Sequence, residues 1–229
     1  MNTLPNVTMM MEKYKSREGD IEISNQSGKG LKTWENPMPV KEFYDKMRAG
    51  SLPTTSQANP EEAATLYESI LKENDVDILH IAFSSGLSGS FNSCRIAAAD
   101  VCEKYPDRRI VVVDSLAATL GQGLLVYKAV QLKEAGKNLD EIAAWLEENK
   151  YHLVHNFTVD DLFHLHRGGR LSKTAAIVGT MINLKPVLHV DDEGHLVMLS
   201  KVRGRKKSLI GLVDCTVKLP RSQSILYAS

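Results

Sequence analysis

The 229-residue sequence has few cysteines, no net charge and no long hydrophobic run. Its three cysteines form no CxxC pair, so neither a disulfide framework nor a cysteine zinc site is indicated. Lys plus Arg and Asp plus Glu both number 28, which removes the overall positive field of a dedicated DNA-binding protein. The longest apolar stretches, such as 110–113 and 121–126, are far shorter than the roughly 20 residues of a membrane-spanning helix. The composition therefore predicts a globular protein without a transmembrane helix.

Motifs that identify several other protein classes are also missing. Residues 1–20 lack the basic start, apolar core and cleavage site of a secretory signal, so we expect a cytoplasmic protein. No GxxxxGK[ST] motif occurs, and none of the seven histidines belongs to an HExxH motif. The segment 86–89 does not have the GxSxG spacing of a hydrolase nucleophile elbow. We expect no P-loop nucleotide site, no metal site and no cofactor.

The order of the predicted elements indicates an α/β fold. Two short, β-branched runs, 77–83 and 109–113, are separated by a Gly/Ser turn and a helical stretch at 91–103. A strand, a helix and a second strand in this order favour a parallel sheet. Asn59 followed by Pro60 predicts the start of a further helix.

The chain divides into three predicted parts. Residues 1–38 show no periodicity, so we expect an irregular N-terminal segment. Residues 39–149 carry the elements of an N-terminal α/β domain with helices on both faces of a mostly parallel sheet. Residues 150–229 begin with a predicted strand at 153–159 and form a smaller, partial α/β C-terminal domain.

The most informative segment is SSGLSGS, which lies between a predicted strand and a helix. Ligands bind at the carboxyl ends of parallel strands, and a helix start offers free N–H groups to an anion. Ser84, Ser85 and Ser88 add hydroxyl groups, while Gly86 and Gly89 let the backbone approach a ligand closely. A serine-rich turn that merely caps a helix is the alternative interpretation.

Two further segments carry groups that bind anions. PTTSQ at 53–57 is a second hydroxyl cluster before a capped helix, and its plainer interpretation is an ordinary turn. RGGR combines the flexible pair Gly168 and Gly169 with Arg167 and Arg170, which can bind a carboxylate or phosphate. A β-turn with surface arginines remains the alternative.

KVRGRKK at 201–207 places five cations in seven residues. No aromatic residues alternate with these cations for base stacking, and the chain as a whole is neutral. A solvated surface or an acidic protein partner is therefore favoured over nucleic acid.

Taken in order, these segments resemble the DegV family of bacterial fatty-acid-binding proteins. The resemblance runs through EFYDKMRAGSLPTTSQ, SSGLSGS, VVDSLAATLGQGLLV, LFHLHRGGRLSK, NLKPVLHVDDEGHL and KVRGRKK, and it covers about residues 39–209. It implies a two-domain α/β protein that holds one long acyl chain in a cleft between its domains. It also implies that the bound fatty acid is presented to a separate fatty-acid kinase, with no catalytic residue in this chain.

The resemblance also implies roles for individual residues. Thr55, Ser88 and Arg170 match the positions that bind the fatty-acid carboxylate. Residues that support these loops are Ser56, Ser84, Ser85, Gly86, Gly89, Gly168 and Gly169, and residues that would dock the kinase are Arg167, Arg203, Arg205 and Lys206. We therefore expect Thr55 and Ser88 to converge on one point, although 33 positions separate them in the sequence.

Two alternatives from other classes remain open. One is a serine hydrolase that uses Ser88 or Ser85, and the other is a nucleic-acid regulator that uses residues 201–207. After Leu209 the tail stops resembling the family, and its LPRSQS segment is typical of irregular structure. We accordingly expect an incomplete second sheet, weak amide protection after Leu209 and self-association through an exposed edge.

Overall fold

The computed structural model describes residues 40–52, 57–171, 184–217 and 226–228. Its helices are α1 (Val40–Arg48), α2 (Pro60–Glu73), α3 (Ser90–Lys104), α4 (Thr119–Glu134), α5 (Leu139–Asn149), α6 (Leu162–Arg167) and α7 (Arg205–Val217). Its strands are β1 (Ile78–Ala82), β2 (Ile110–Asp114), β3 (Leu153–Phe157), β4 (Leu184–Val190), β5 (Leu196–Arg203) and β6 (Leu226–Ala228). None of the helices in these ranges is long and apolar enough to cross a bilayer.

The predicted helix start at Asn59 is confirmed. The Asn59 side chain accepts a hydrogen bond from the Glu62 backbone N–H at 2.9 Å, and the Glu62 carboxylate accepts one from the Asn59 N–H at 3.1 Å. Pro60 occupies the first turn, where its missing N–H costs nothing. These reciprocal bonds satisfy two donors that the first turn leaves free.

The first sheet is parallel, as predicted. β1 and β2 pair in register from Ile78 with Ile110 to Ala82 with Asp114. One face of this pair packs on α2 and α3, through a cluster that includes Tyr67 and Val101. The other face packs on α4 and α5, so both faces are covered, which explains why these strands are apolar apart from His80 and Asp114.

The second sheet has the strand order β5-β4-β3-β6. β4 is antiparallel to both β3 and β5, and β3 is parallel to β6. We call α2–α5 with β1 and β2 the N-terminal region, and β3–β6 with α6 and α7 the C-terminal region. Leu153 at the start of β3 packs against the N-terminal cluster that contains Ile81 and Val113, and the domain boundary near residue 149 stays a prediction.

Several predicted elements differ from the observed ones. The strand expected at 196–199 continues to Arg203, because antiparallel pairing with β4 extends along its whole length. α6 has no counterpart in the predictions, and the helix expected at 173–182 lies outside the described residues.

The described part of the tail after Leu209 forms regular structure, and the expectation of an incomplete second sheet stays a prediction. α7 continues to Val217, and β6 pairs with β3 from Leu153 with Leu226 to His155 with Ala228. Gly211 permits the close packing of α7, because a Cβ there would lie 3.1 Å from the Val187 side chain. The LPRSQS segment lies outside the described residues.

Candidate functional site

The SSGLSGS segment forms a loop between β1 and α3, which we call the serine loop (residues 84–90). Ser84 is fully buried, and its hydroxyl donates a hydrogen bond to the Gly194 carbonyl at 2.8 Å. The same hydroxyl oxygen accepts from the Gly86 N–H at 3.2 Å. Ser84 therefore holds the loop in place rather than facing a ligand.

Ser88 lies two residues before the first residue of α3 and is half-buried. Its hydroxyl is 2.9 Å from the Ser90 hydroxyl and accepts a bond from the Ser90 N–H at 3.2 Å. The Ser90 hydroxyl in turn accepts from the Ala58 N–H at 3.1 Å. This chain of bonds orients Ser88 and ties the serine loop to the segment that precedes α2.

Gln57 lies directly against the serine loop. A Cβ at Gly89 would collide with the Gln57 side-chain amide, so only glycine accommodates this contact. Thr55 and Ser56 lie outside the described residues, and the predicted convergence of Thr55 with Ser88 stays a prediction. Gln57 follows Thr55 by two residues and was not predicted as part of the site.

Arg170 connects the C-terminal region to the serine loop. Its Nε donates a hydrogen bond to the Leu87 carbonyl at 3.1 Å, and its guanidinium also contacts the Gly168 carbonyl. Gly169 has φ +77°, a left-handed conformation that turns the chain sharply after α6. The turn thus brings Arg170 of the C-terminal region into contact with Leu87, the residue that precedes Ser88 in the serine loop.

Asp114 is a buried residue of the site that sequence reasoning missed. Its Oδ1 accepts hydrogen bonds from the Ser85 N–H at 3.2 Å and the Leu116 N–H at 3.1 Å. Leu116 has φ +48°, which is uncommon for a residue with a side chain. The sequence signal that could have indicated Asp114 is its position at the end of β2, followed by Ser115, because the ends of β1 and β2 lie side by side in a parallel sheet.

The turn between β4 and β5 closes the site from the other side. A Cβ at Gly86 would lie 2.6 Å from the Glu193 carbonyl oxygen, so the two backbones pack without a side chain between them. Gly194 has φ +79° and lies against Ser84 and Leu116. The serine loop is therefore enclosed by segments from both sheets.

The four predicted docking residues lie in two places. Arg167 is exposed at the end of α6, where it pairs with Asp161 at 3.4 Å. Arg203 and Lys206 are exposed near the start of α7. Arg205 is half-buried: its Nη1 lies 3.9 Å from the carboxylate of Asp160, and its buried Nε and Nη1 have no hydrogen-bond partner among the described residues.

Two buried histidines lie near these elements. Burial lowers the pKa of His80 to about 4, and its Nδ1 is 2.5 Å from the Tyr67 hydroxyl. Burial also lowers the pKa of His155 to about 4, and its ring packs over Gly121. The His155 Nδ1 has no hydrogen-bond partner among the described residues. Both rings are therefore neutral at physiological pH.

The β4–β5 turn also carries a cluster of possible metal ligands. The ligand atoms of Asp191, Glu193 and His195 lie within 4.8 Å of one another. Asp191 Oδ1 accepts hydrogen bonds from the N–H groups of Glu193 and His195, which is the usual arrangement of a polar turn. The absence of a metal site stays a prediction.

Comparison with known proteins gives consistent matches. A family model described as "Uncharacterised protein, DegV family" matches residues 29–225, well beyond residue 209. A DegV domain-containing protein of Clostridium perfringens is 48% identical over 197 residues, which are 85% of this chain and 67% of that protein. The tail after Leu209 therefore does resemble the family, contrary to the expectation.

Solved structures show the same fold. A fatty-acid-binding DegV family protein of Thermus thermophilus matches with a TM-score of 0.65 and 36% identity, over 80% of this chain and 63% of that chain. The Fatty Acid Kinase (Fak) B3 protein of Streptococcus pneumoniae, loaded with linoleic acid, matches with a TM-score of 0.71 and 27% identity, over 80% and 63%. The chain spans between 58% and 67% of the length of the first curated relatives that it matches.

Proposed function

Because the chain belongs to the DegV family, we propose that it binds a long-chain fatty acid whose carboxylate lies at the serine loop. The carboxylate would be bound by Ser88, Thr55 and Arg170. The observation that carries this proposal is the bond from Arg170 Nε to the Leu87 carbonyl, which brings a cation from the C-terminal region next to Ser88.

The chemistry of the serine loop suits a carboxylate. Ser88 offers a half-buried hydroxyl at the N-terminus of α3, where the helix dipole favours negative charge. Ser84 and the glycines Gly86 and Gly89 shape the loop so that its backbone stays close to the ligand. Hydrogen bonds to a charged acceptor are roughly twice as strong as neutral ones, so a few hydroxyls suffice to orient the acid.

Most of the affinity would come from the acyl chain. Each methylene that leaves water contributes about 0.8 kcal/mol before ordering costs are subtracted. As the resemblance to the family implies, an acyl chain that starts at the serine loop would run between the N-terminal and C-terminal regions. The carboxylate would then remain at the edge of the sheets, where a second protein can reach it.

We further propose that the bound acid is presented to a fatty-acid kinase. The Streptococcus pneumoniae neighbour, whose name refers to fatty acid kinase, supports this finer proposal. The exposed cations Arg167, Arg203 and Lys206 would contact an acidic surface of the kinase, with Arg205 contributing less because of its buried nitrogens. In this scheme the chain supplies no catalytic residue of its own.

The hydrolase alternative predicts a base beside the nucleophile. The hydroxyl of Ser88 is bonded to the hydroxyl of Ser90, which is not a base, and this favours binding over acyl transfer. Ser85 is exposed, and its backbone N–H rather than its hydroxyl is bonded to Asp114. The nucleic-acid alternative rests only on residues 201–207.

Native mass spectrometry of the purified chain, followed by lipid extraction, tests the proposal. We expect a co-purified acyl ligand and a weakening of fatty-acid affinity by about tenfold in Ser88→Ala, from the loss of one hydrogen bond to a charged group. Ser85→Ala is the matched control, because it removes an exposed hydroxyl from the same loop, and we expect its affinity to stay within about twofold.

Three outcomes would contradict the proposal. The first is the absence of any acyl ligand together with no binding of added palmitate or oleate. The second is labelling of Ser88 by a fluorophosphonate, which would indicate a hydrolase. The third is salt-sensitive DNA binding at physiological ionic strength, which would indicate the regulator.

A further inference from the structure

α7 has two opposite faces with an unusual distribution of side chains. The inner face, which includes the buried Ser208 and the partly buried Gly211 and Leu212, packs on the second sheet. The outer face exposes Leu209, Ile210 and Val213 by 41%, 49% and 61%. A surface helix normally turns polar residues outward, so these three side chains form an apolar stripe without a partner among the described residues.

Two side chains of opposite charge lie at the two ends of the apolar stripe. Lys206 lies four residues before Ile210, and Asp214 lies four residues after it. At 100° per residue, both side chains share the outer face with Ile210. Both are exposed, and neither has an ion-pair partner in the part of the chain that the structure describes.

We propose that this face of α7 is the contact surface of a homodimer, in which two α7 helices pack antiparallel about a two-fold axis at Ile210. A two-fold axis at this residue places Lys206 of each protomer opposite Asp214 of the other. The apolar stripes then meet between the two ion pairs. In the antiparallel arrangement the spacing of the charges is therefore self-complementary, which favours a second copy of this chain as the partner.

The dimer is expected to be weak and reversible. One pair of helices buries less surface than the roughly 1,600 Å² of a typical stable interface, so we expect a dissociation constant in the micromolar range. Lys206 belongs both to this surface and to the proposed docking surface. Self-association and binding of an acidic partner therefore compete at this residue.

Charge reversal tests the orientation of the two helices. Sedimentation velocity over a range of concentrations is expected to show a monomer–dimer equilibrium for the unmodified chain. Lys206→Asp and Asp214→Lys each place like charges opposite one another twice per dimer, and each is expected to weaken dimerisation by about tenfold. The double variant restores both attractions, and we expect its dissociation constant within about threefold of the original.

Disulfide cross-linking tests the position of the axis. Ile210→Cys places two thiols next to each other at the axis, and we expect rapid cross-linking under mild oxidation. Val213→Cys is the matched control, since its two copies would lie about 9 Å apart along the helices, too far for a disulfide. The unmodified chain, with its own three cysteines, gives the background.

The proposal is overturned by any of three results. One is a monomer at all concentrations up to about 1 mM, well above the expected dissociation constant. Another is a dimer whose stability does not respond to either charge reversal, which would place the interface elsewhere. The third is equal cross-linking of Ile210→Cys and Val213→Cys. Circular dichroism confirms that each variant is folded.

Discussion

The described parts of the N-terminal and C-terminal regions differ in how much apolar core each one contains. The N-terminal region has two clusters of seven buried residues each, one on either face of β1 and β2. Among its described residues, which leave out 172–183 and 218–225, the C-terminal region has one cluster of three, Leu162, Leu171 and Leu188. Because buried apolar surface is the main stabilising contribution, the C-terminal region should open first and depend on its contacts with its neighbour.

The candidate site lies on the contacts that join these unequal regions. The N-terminal region supplies the hydroxyls of the serine loop, and the C-terminal region supplies Arg170 and the turn at Gly194. A site built in this way is complete only while the weaker region stays docked. Ligand binding and docking of the two regions are therefore coupled.

The largest expected effect comes from truncating one fully buried leucine in each region. Leu146→Ala should lower the free energy of unfolding by about 4 kcal/mol, and Leu188→Ala by about 3 kcal/mol, because each leaves a cavity. Urea unfolding measures both values. Hydrogen exchange should show that Leu188→Ala deprotects mainly β3–β5. Equal deprotection of β1 and β2 would mean that the regions unfold as one unit.

Acid should destabilise both regions through their buried histidines. The pKa of His80 and His155 is about 4 when folded and 6.5 when unfolded, so the unfolded chain binds more protons between these values. Stability is therefore full above pH 6.5 and is lost as the pH falls toward 4, by up to about 3 kcal/mol per histidine.

Unfolding at pH 7 and near pH 4.5 measures this loss. His155→Leu should halve the pH dependence at little cost at pH 7, because the Nδ1 of His155 has no hydrogen-bond partner among the described residues. His80→Leu should also reduce the pH dependence but lower stability at pH 7, because it removes the partner of the Tyr67 hydroxyl. A pH dependence unchanged in both variants would contradict this assignment.

A smaller effect is expected at the contact between the regions. Gly86→Ala places a Cβ against the backbone of Glu193 and should cost about 2 kcal/mol while also weakening fatty-acid binding. Gly168→Ala is the control, since the nearest atom to its Cβ would be 3.5 Å away. If both variants bind a fatty acid equally well, the serine loop does not need the β4–β5 turn.

The smallest effect is expected at the surface of the N-terminal region. Asp140→Asn removes the exposed ion pair with Arg109, whose guanidinium holds the pKa of the Asp140 carboxyl below its usual range. Solvent screens this pair, so we expect no resolvable change in Tm. A clear drop in Tm would show that the pair stabilises the junction of β2 and α5.

Local signals in the sequence predicted the N-terminal region well. The capping residues Asn59 and Glu62 and the β-branched run at 109–113 each act over a few residues, so their structure can be read from the sequence. The contacts of Asp114, Gln57 and Gly194 could not be predicted from the sequence, because each contact depends on which distant segments the fold brings together. α6 and the second sheet were harder to predict for the same reason. Their short elements gain stability from contacts with distant segments rather than from local preference.

The bond from Ser84 to Gly194 spans 110 positions of the chain. Closing so long a loop costs conformational entropy before the contact contributes any stabilising free energy. By contrast, α2, β1 and α3 form from residues that are close in the sequence. During folding the helices around β1 and β2 would therefore assemble early, and the serine loop would reach its final shape only in the last step. A newly made chain would pass through a state that is largely structured yet has no binding site.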